Sequence, residues 1–404
     1  MNTAINREIS IDAIHVDVNE SEGSQSVTTG KLPSPPKLPS LTGSRFWAAL
    51  LVFLFHSSLP SDLAPFSDPT IQHIFTVIVG KAGWLGVSYF FILSGFIMVW
   101  SARDNDTVGD FYLRRFAKIY PMHCLTWAIA FIIGAMSIYQ YKLWASNLFL
   151  LNTWVDDVRY FFVGNRPSWS LCIEAMFYLS FPFLFRIMKA IPEKFDLLGL
   201  TVVTAASLLV QTYIYLWVEP NQMMKAFPIS QQHFWVSYIF PPSRIFEFLA
   251  GMFAARLLMN GRALVLTKTA SFALLAVAYI GAMYLPYQFS MSVVFIIPVC
   301  LLIISMAGDD LKNRNTLLNT KTSVWLGEIS YSFYMVHFLV LFYFLNLTAG
   351  RKFNLPEGIA LIAVALVLSV SCASFLYSYF EVPMMKLILE KCRTKGLVIL
   401  RKSA

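Results

Sequence analysis

The apolar stretch RFWAALLVFLFHSS, residues 45–58, begins with an arginine and carries a histidine near its far end. In an α-helix of about 3.6 residues per turn, Arg45 and His56 are close to three full turns apart and lie on one face. Their separation along the helix axis is about 16 Å. The stretch therefore predicts a membrane helix with two ionisable groups on one face, Arg45 at one end and His56 about one turn before Pro60.

The composition is typical of a membrane protein. Hydrophobic residues make up 57% of the 404 residues and charged residues 13%, against about 25% charged in an ordinary soluble domain. Long uncharged runs recur along the chain, and a soluble core could not bury so much apolar surface. We therefore expect an all-α, polytopic transmembrane bundle with the lipid bilayer as its surrounding partner.

Ten apolar runs are long enough to cross about 30 Å of hydrocarbon as helices. Their approximate limits are 44–60, 84–101, 117–139, 168–188, 196–217, 236–258, 266–285, 289–306, 324–347 and 357–379. Two shorter runs, 71–80 and 143–151, are candidates for re-entrant or interfacial segments. We expect a disordered N-terminal segment over residues 1–42, a transmembrane domain over 43–386 and a basic tail over 387–404.

The basic residues predict the orientation of the bundle. With the N-terminus in the cytoplasm, 23 of the 31 lysines and arginines fall on the cytoplasmic side and seven on the other. Cytoplasmic loops of membrane proteins carry such an excess of positive charge. The split favours ten helices with both termini in the cytoplasm. It also accounts for the net charge of +8 without nucleic acid, which is not an expected partner.

The five cysteines do not indicate a metal site or a disulfide framework. They are spread over predicted spans and the C-terminal tail, and no two of them are close in sequence. Paired cysteines at short, regular spacing would be typical of either feature. No metal is therefore expected.

His56 is a candidate general base, since an imidazole can accept a proton from a hydroxyl group near neutral pH. A carboxylate partner could hold its tautomer, and Glu174 in the stretch PSWSLCIEAMFY is expected at a similar depth. The alternative interpretation treats Arg45 as a flanking anchor and His56 as an interfacial residue. Glu174 would then pair with another buried polar group and only hold helices together.

The stretch FYLRRFAKIYP, residues 111–121, places Arg114, Arg115 and Lys118 at the predicted cytoplasmic face. Arginine offers two parallel hydrogen bonds to phosphate, so the cluster would suit a phosphate-rich donor such as acetyl-CoA. The alternative is that these charges only orient the protein in the membrane.

Other polar residues inside the apolar runs favour structural roles. Arg244 and Glu247 are three residues apart and can touch on one helix face, which favours a structural ion pair over a catalytic one. His337 is expected to be packed and hydrogen-bonded near the middle of the membrane. Gly83, Gly86 and Gly95 are expected to permit close approach of helices.

Several stretches together resemble the acyltransferase-3 family of integral membrane acyltransferases. Their matches run in order from about residue 41 to residue 386, and the ordered series is more specific than any single motif. The stretch RFWAALLVFLFH matches the family's arginine and histidine separated by ten residues. The stretches are RFWAALLVFLFH, GWLGVSYFFILSGF, FYLRRFAKIYP, PSWSLCIEAMFY, RIFEFLAGM, ISYSFYMVHF and YFEVPMMK.

The resemblance implies ten transmembrane helices and transfer of an acyl group, often acetyl, from cytosolic acyl-CoA to a hydroxyl. It assigns catalysis to His56, Glu174 and Arg45. The expected donor-binding residues are Arg114, Arg115 and Tyr120. The expected substrate-binding residues are Trp169, Ser170, Arg244, Glu247 and His337.

The expected protein is thus a bacterial inner-membrane O-acyltransferase that uses acetyl-CoA or another acyl-CoA. Its expected acceptor is a cell-surface or exported carbohydrate or a lipid-linked glycan. Alternatives within the enzyme class are acylation of a small molecule such as a macrolide and succinyl transfer to a glucan. A secondary transporter is the alternative from another class. The two halves of the chain show no internal repeat of the kind that transporters often carry.

Overall fold

The fold of the described residues is helical, as predicted. The computed structural model describes residues 36–59, 64–102, 106–134, 140–225 and 227–394. Within these ranges, β-structure is limited to two isolated bridges. The helices are α1 Pro39–Ser57, α2 Pro69–Val79, α3 Ala82–Trp100, α4 Val108–Ile132, α5 Tyr141–Leu148, α6 Val158–Phe161, α7 Trp169–Ala190, α8 Asp196–Trp217, α9 Gln231–Phe234, α10 Ile245–Met259, α11 Lys268–Tyr284, α12 Tyr287–Ser290, α13 Ile296–Leu311, α14 Lys321–Glu328, α15 Ser330–Leu347, α16 Leu355–Leu376 and α17 Val382–Thr394.

Five helical stretches of the described chain are long and apolar enough to cross a membrane. They are Pro69–Trp100, Arg166–Ala190, Glu193–Trp217, Tyr287–Leu311 and Leu355–Cys392. A sixth is obtained when α14 and the first part of α15, which meet at 62°, count as one bent span. The protein is therefore a multi-pass membrane protein.

The other four predicted spans also contain helices but do not meet these limits. The helices α10 and α11 have 15 and 17 residues. The helix α1 begins with a polar turn, and α4 carries several charges in its first half. The total of ten crossings and the cytoplasmic location of both termini stay predictions.

Helices also occupy the ends of the predicted domains and both shorter apolar runs. Helix α1 begins at Pro39, inside the predicted N-terminal segment, and residues 1–35 of that segment lie outside the described residues. Helix α17 continues into the predicted tail as far as Thr394, and residues 395–404 also lie outside. The runs 71–80 and 143–151 fall largely on α2 and α5.

Glycines permit a very close contact between α3 and α10. A Cβ atom at Gly95 would lie 2.0 Å from the carbonyl oxygen of Phe248. One at Gly251 would lie 1.9 Å from the carbonyl oxygen of Ile92. The obstruction is backbone on both sides, so no side chain could move to relieve it. Close approach at Gly95 is confirmed.

Close approach is also confirmed at the other two predicted glycines, where α3 meets α1. A Cβ atom at Gly83 would lie 2.4 Å from the ring of Phe55, and one at Gly86 would lie 2.6 Å from the carbonyl oxygen of Ala48. These glycines therefore let α1 lie directly against α3.

Helix α1 lies inside the bundle. Its residues Phe46 and Phe53 are buried, and their rings lie 5.3 Å and 6.0 Å from the ring of Phe333 on α15. On another side, α1 packs against α3 at Gly83 and Gly86. The helix that carries Arg45 and His56 is therefore held between other helices, and both residues reach the interior of the protein.

Replacing Gly95 by alanine should force α3 and α10 apart. We expect Gly95→Ala to lower the free energy of unfolding by about 1–3 kcal/mol, the usual cost of overpacking. Gly281→Ala is the matched control, because a Cβ atom at Gly281 meets nothing within 4 Å. Denaturant unfolding in detergent checks both variants, and equal stability of the two would contradict the packing described here.

Candidate active site

A cavity of about 230 Å³ lies between the helices and contains a cluster of charged groups. Arg45 of α1, Arg115 and Lys118 of α4, and Glu174 of α7 line it. Apolar side chains of α3 form much of the remaining wall. Arg45, Arg115 and Lys118 still outnumber Glu174 and the Glu381 that pairs with Lys118, and this excess of positive charge favours an anionic ligand.

Two hydrogen-bond donors of the cavity wall have no partner among the described residues. They are the buried Nε of Arg115 and the hydroxyl of Ser330, a residue that is 1% exposed. Buried donors are normally satisfied, so each unsatisfied one requires an explanation. A ligand that accepts hydrogen bonds in this cavity would satisfy both.

The neighbouring arginines of α4 point in different directions. Arg115 lines the cavity, and its guanidinium lies near the rings of Phe111 and Tyr178. Arg114 instead forms an ion pair of 2.7 Å with Asp106 at the surface, where its side chain is 33% exposed. Consecutive helical residues differ by about 100° around the axis, so only one of the pair can face inward.

Lys118, one turn beyond Arg114, also lines the cavity and is held by a buried carboxylate. It forms an ion pair with Glu381, which accepts a second hydrogen bond of 2.5 Å from the hydroxyl of Ser332. Tyr120 lies outside the lining, and its hydroxyl donates to the carbonyl of Leu148 over 3.3 Å. Of the residues proposed for the donor, Arg115 and Lys118 line the cavity, whereas Arg114 and Tyr120 do not.

His56 is hydrogen-bonded to another histidine and not to Glu174, the expected carboxylate partner. Its Nδ1 lies 2.9 Å from Nε2 of His337 on α15, and the two rings are stacked with centroids 5.1 Å apart. His56 is 8% exposed and His337 is fully buried. The Nε2 atom of His56 has no hydrogen-bond partner in the described part of the chain.

Glu174 lies at the cavity with Arg45, which corrects the depth expected for it. Its carboxylate accepts a hydrogen bond of 3.0 Å from the hydroxyl of Tyr178, one turn along α7. The first residues of α7, residues 169–173, are buried against the rest of the bundle. Glu174 therefore lies with the Arg45 end of α1, and not with the His56 end that the predicted topology indicated.

Tyr334 lies between the cavity and the histidine pair. Its side chain lines the cavity, its hydroxyl is 2.8 Å from that of Ser170, and its ring centroid is 5.8 Å from that of His337. Tyr334 and His337 are three residues apart and thus share one face of α15, a signal that the sequence offered. Trp169, by contrast, packs on Tyr238 and is not part of the lining.

Arg244 and Glu247 form a closed ion pair in the core, as the sequence favoured. Two hydrogen bonds of 2.5 Å and 2.8 Å join the guanidinium to the carboxylate. The other donors of Arg244 reach the carbonyl of Tyr238 and the hydroxyl of Ser88. Arg244 is fully buried and Glu247 is 1% exposed. The pair holds α10 against α3, and neither residue is part of the cavity lining.

Comparison with known proteins decides the family. Residues 38–377 match a family described as an acyltransferase domain, acyltransferase-3. The chain belongs to this family. It is 33% identical over 369 residues to Acyltransferase MdmB of Streptomyces mycarofaciens, which covers 88% of this chain and 94% of that protein. It is 21% identical over 379 residues to Peptidoglycan O-acetyltransferase OatA of Listeria monocytogenes, covering 86% of this chain and 56% of OatA.

No solved structure matches the chain. The family match and the helices described above make the protein a multi-pass membrane acyltransferase.

Removing one member of the core ion pair should destabilise the protein. We expect Arg244→Met to cost about 3–5 kcal/mol of unfolding free energy, because it leaves the Glu247 carboxylate buried without a counter-ion. The double variant Arg244→Met/Glu247→Leu should recover most of that loss. Denaturant unfolding in detergent measures both. A single variant that is as stable as wild type but inactive would indicate a substrate contact.

Proposed function

We propose that the protein transfers an acetyl or other short acyl group from cytosolic acyl-CoA to a hydroxyl of a cell-surface or exported carbohydrate. The proposal places it in the bacterial inner membrane with ten crossings and both termini in the cytoplasm. One observation carries it: a cation-lined cavity and a buried histidine with an unbonded ring nitrogen lie along the same helix. The carbohydrate acceptor is supported by the name of OatA, a peptidoglycan O-acetyltransferase.

The cavity is the proposed site for the phosphates of the donor. Arg45, Arg115 and Lys118 supply positive charge, and Arg115 has a donor to spare. Hydrogen bonds between such cations and phosphate are stronger than those between neutral groups. Pockets for drug-sized ligands span roughly 300–1,000 Å³. A cavity of about 230 Å³ would thus enclose only part of acyl-CoA.

His56 is the proposed general base. Its Nε2 would take the proton of the acceptor hydroxyl while that oxygen attacks the thioester carbonyl carbon. A carbon–oxygen bond forms, the carbon–sulfur bond breaks, and the proton passes from His56 to the departing CoA thiolate. The products are the acyl ester and CoA thiol, and the histidine returns to its neutral form.

The length of α1 separates the two parts of the proposed reaction. Arg45 and His56 are about 16 Å apart along the helix axis. Acyl-CoA has its phosphates and its thioester at opposite ends of a flexible arm, so one molecule can reach both. The arm would pass Tyr334, which contacts both the cavity and the histidine pair. Glu174 would hold the cations of the cavity in place and would not touch His56.

Substitution of His56 tests the base directly. We expect purified His56→Ala to bind acetyl-CoA within about twofold of wild type and to lose about 10²–10⁴-fold in acyl transfer, the usual contribution of a general base. Release of CoA from acetyl-CoA, with soluble peptidoglycan fragments as acceptor, measures the transfer. Turnover near the wild-type rate in a folded His56→Ala protein would refute the assignment.

The neighbouring arginines give a matched test of donor binding. Arg115→Met should weaken binding of CoA by about 10–100-fold, since a hydrogen bond to a charged group contributes about 1.5–3 kcal/mol. Arg114→Met should change it by less than about threefold, because Arg114 is paired with Asp106 outside the cavity lining. Calorimetric titration with CoA in detergent distinguishes the two. Equal losses in both variants would place the phosphates elsewhere.

A further inference from the structure

The histidine pair forms a continuous hydrogen-bonded chain that ends on a backbone carbonyl. Nδ1 of His337 lies 3.2 Å from the carbonyl oxygen of Phe333, one turn earlier on α15. Nε2 of the same ring lies 2.9 Å from Nδ1 of His56. A carbonyl oxygen only accepts hydrogen bonds, so the end of the chain determines where the protons are.

Only one arrangement of neutral rings satisfies both contacts. His337 must carry its proton on Nδ1 to donate to Phe333, which leaves a lone pair on its Nε2. That lone pair requires a proton on Nδ1 of His56. The lone pair of His56 is then on Nε2, the nitrogen without a partner in the described part of the chain.

The reverse arrangement is unfavourable. A lone pair on Nδ1 of His56 would require a proton on Nε2 of His337. A neutral His337 would then turn a lone pair towards the Phe333 carbonyl oxygen. A doubly protonated His337 would be a fully buried charge, and neither ring forms an ion pair with a described carboxylate. Burial of an unpaired charge is costly.

We propose that His337 is a positioning residue that fixes His56 in the tautomer with a proton on Nδ1 and the basic lone pair on Nε2. This inference rests on the proposed function, since it assumes that His56 is the base. Phe53 and Phe333, whose rings lie 6.2 Å and 5.8 Å from that of His337, hold the second ring in place. In this proposal, His337 holds the tautomer of His56, the role that was expected of Glu174.

A neutral partner has a chemical consequence that a carboxylate partner would not have. When His56 accepts the proton of the acceptor hydroxyl, its Nδ1–H continues to donate to His337. The pair then carries one positive charge next to the developing negative charge on the thioester oxygen, and no carboxylate of the described residues forms an ion pair with either ring. The charge disappears when the proton passes to the CoA thiolate.

Two substitutions at His337 separate its acceptor role from its bulk. His337→Gln keeps an oxygen that can accept from Nδ1 of His56, whereas His337→Leu keeps bulk without an acceptor. We expect His337→Leu to lower kcat about 100-fold with KM for acetyl-CoA within about twofold. His337→Gln should recover activity to within about tenfold of wild type. Equal kcat values in the two variants would overturn the inference.

The matched control is another fully buried histidine, His123, whose Nε2 contacts the carbonyl of Asn147 and which has no contact with the pair. His123→Leu should leave kcat near that of wild type after correction for the folded fraction. A loss as large as that in His337→Leu would overturn the specific role of His337.

Nitrogen-15 NMR of histidine-labelled protein reads the tautomer without a kinetic assay. The signals of His56 are assigned by their loss in His56→Ala. Wild type should show a protonated Nδ1 and an unprotonated Nε2 at His56, and His337→Leu should show a mixture or the opposite tautomer. A protonated Nε2 in wild type would overturn the inference even if His337→Leu failed to fold.

The two levels of the proposal can fail separately. If His56→Ala retains transfer, both the general base and its positioning residue are refuted. If His56→Ala loses transfer while His337→Leu keeps the wild-type kcat, the base stands and only the role of His337 is refuted.

Discussion

Ionisable side chains inside this bundle are tolerated only where another group compensates for their loss of water. Burial of an unpaired charge or polar group costs free energy, and hydrocarbon outside the helices offers no compensation. The structure meets this constraint in three ways. Arg244 and Glu247 neutralise each other, His56 and His337 hydrogen-bond to each other, and Arg115 borders a cavity. The first arrangement is closed and structural, whereas the other two leave a ring nitrogen and a guanidinium nitrogen available for chemistry.

These arrangements divide the proposed reaction along α1. The cationic cavity lies around Arg45, and the histidine pair lies about three turns further along the helix. Tyr334 contacts both places through its ring and its hydroxyl. In the proposed reaction, the cavity cations that bind phosphate lie about three helical turns from the base, which weakens their positive field there. Such a field would otherwise oppose protonation of His56 during the reaction.

The sequence predicted the helices and the face of α1 well, because both depend on local periodicity. Helical spacing placed Arg45 and His56 on one face, and that face lies inside the bundle. The partner of His56 was not predictable in the same way, since it lies 281 residues away and depends on the packing of α1 against α15. Glu174 was expected near His56 but lies at the cavity with Arg45, because its place beside α1 depends on how α7 packs in the bundle and not on local periodicity. The Tyr334–His337 spacing was a usable signal that the predictions did not include.

The most direct test is an experimental structure of the protein with a non-reactive acyl-CoA analogue bound. We expect the phosphates of the analogue to contact Arg45 and Arg115, with its acyl carbon close enough to His56 for one hydroxyl oxygen to bridge to Nε2. Reacting atoms in productive complexes lie about 3–3.5 Å apart. Phosphates bound on a different surface, or an acyl end directed away from the histidine pair, would contradict the division of the reaction along α1.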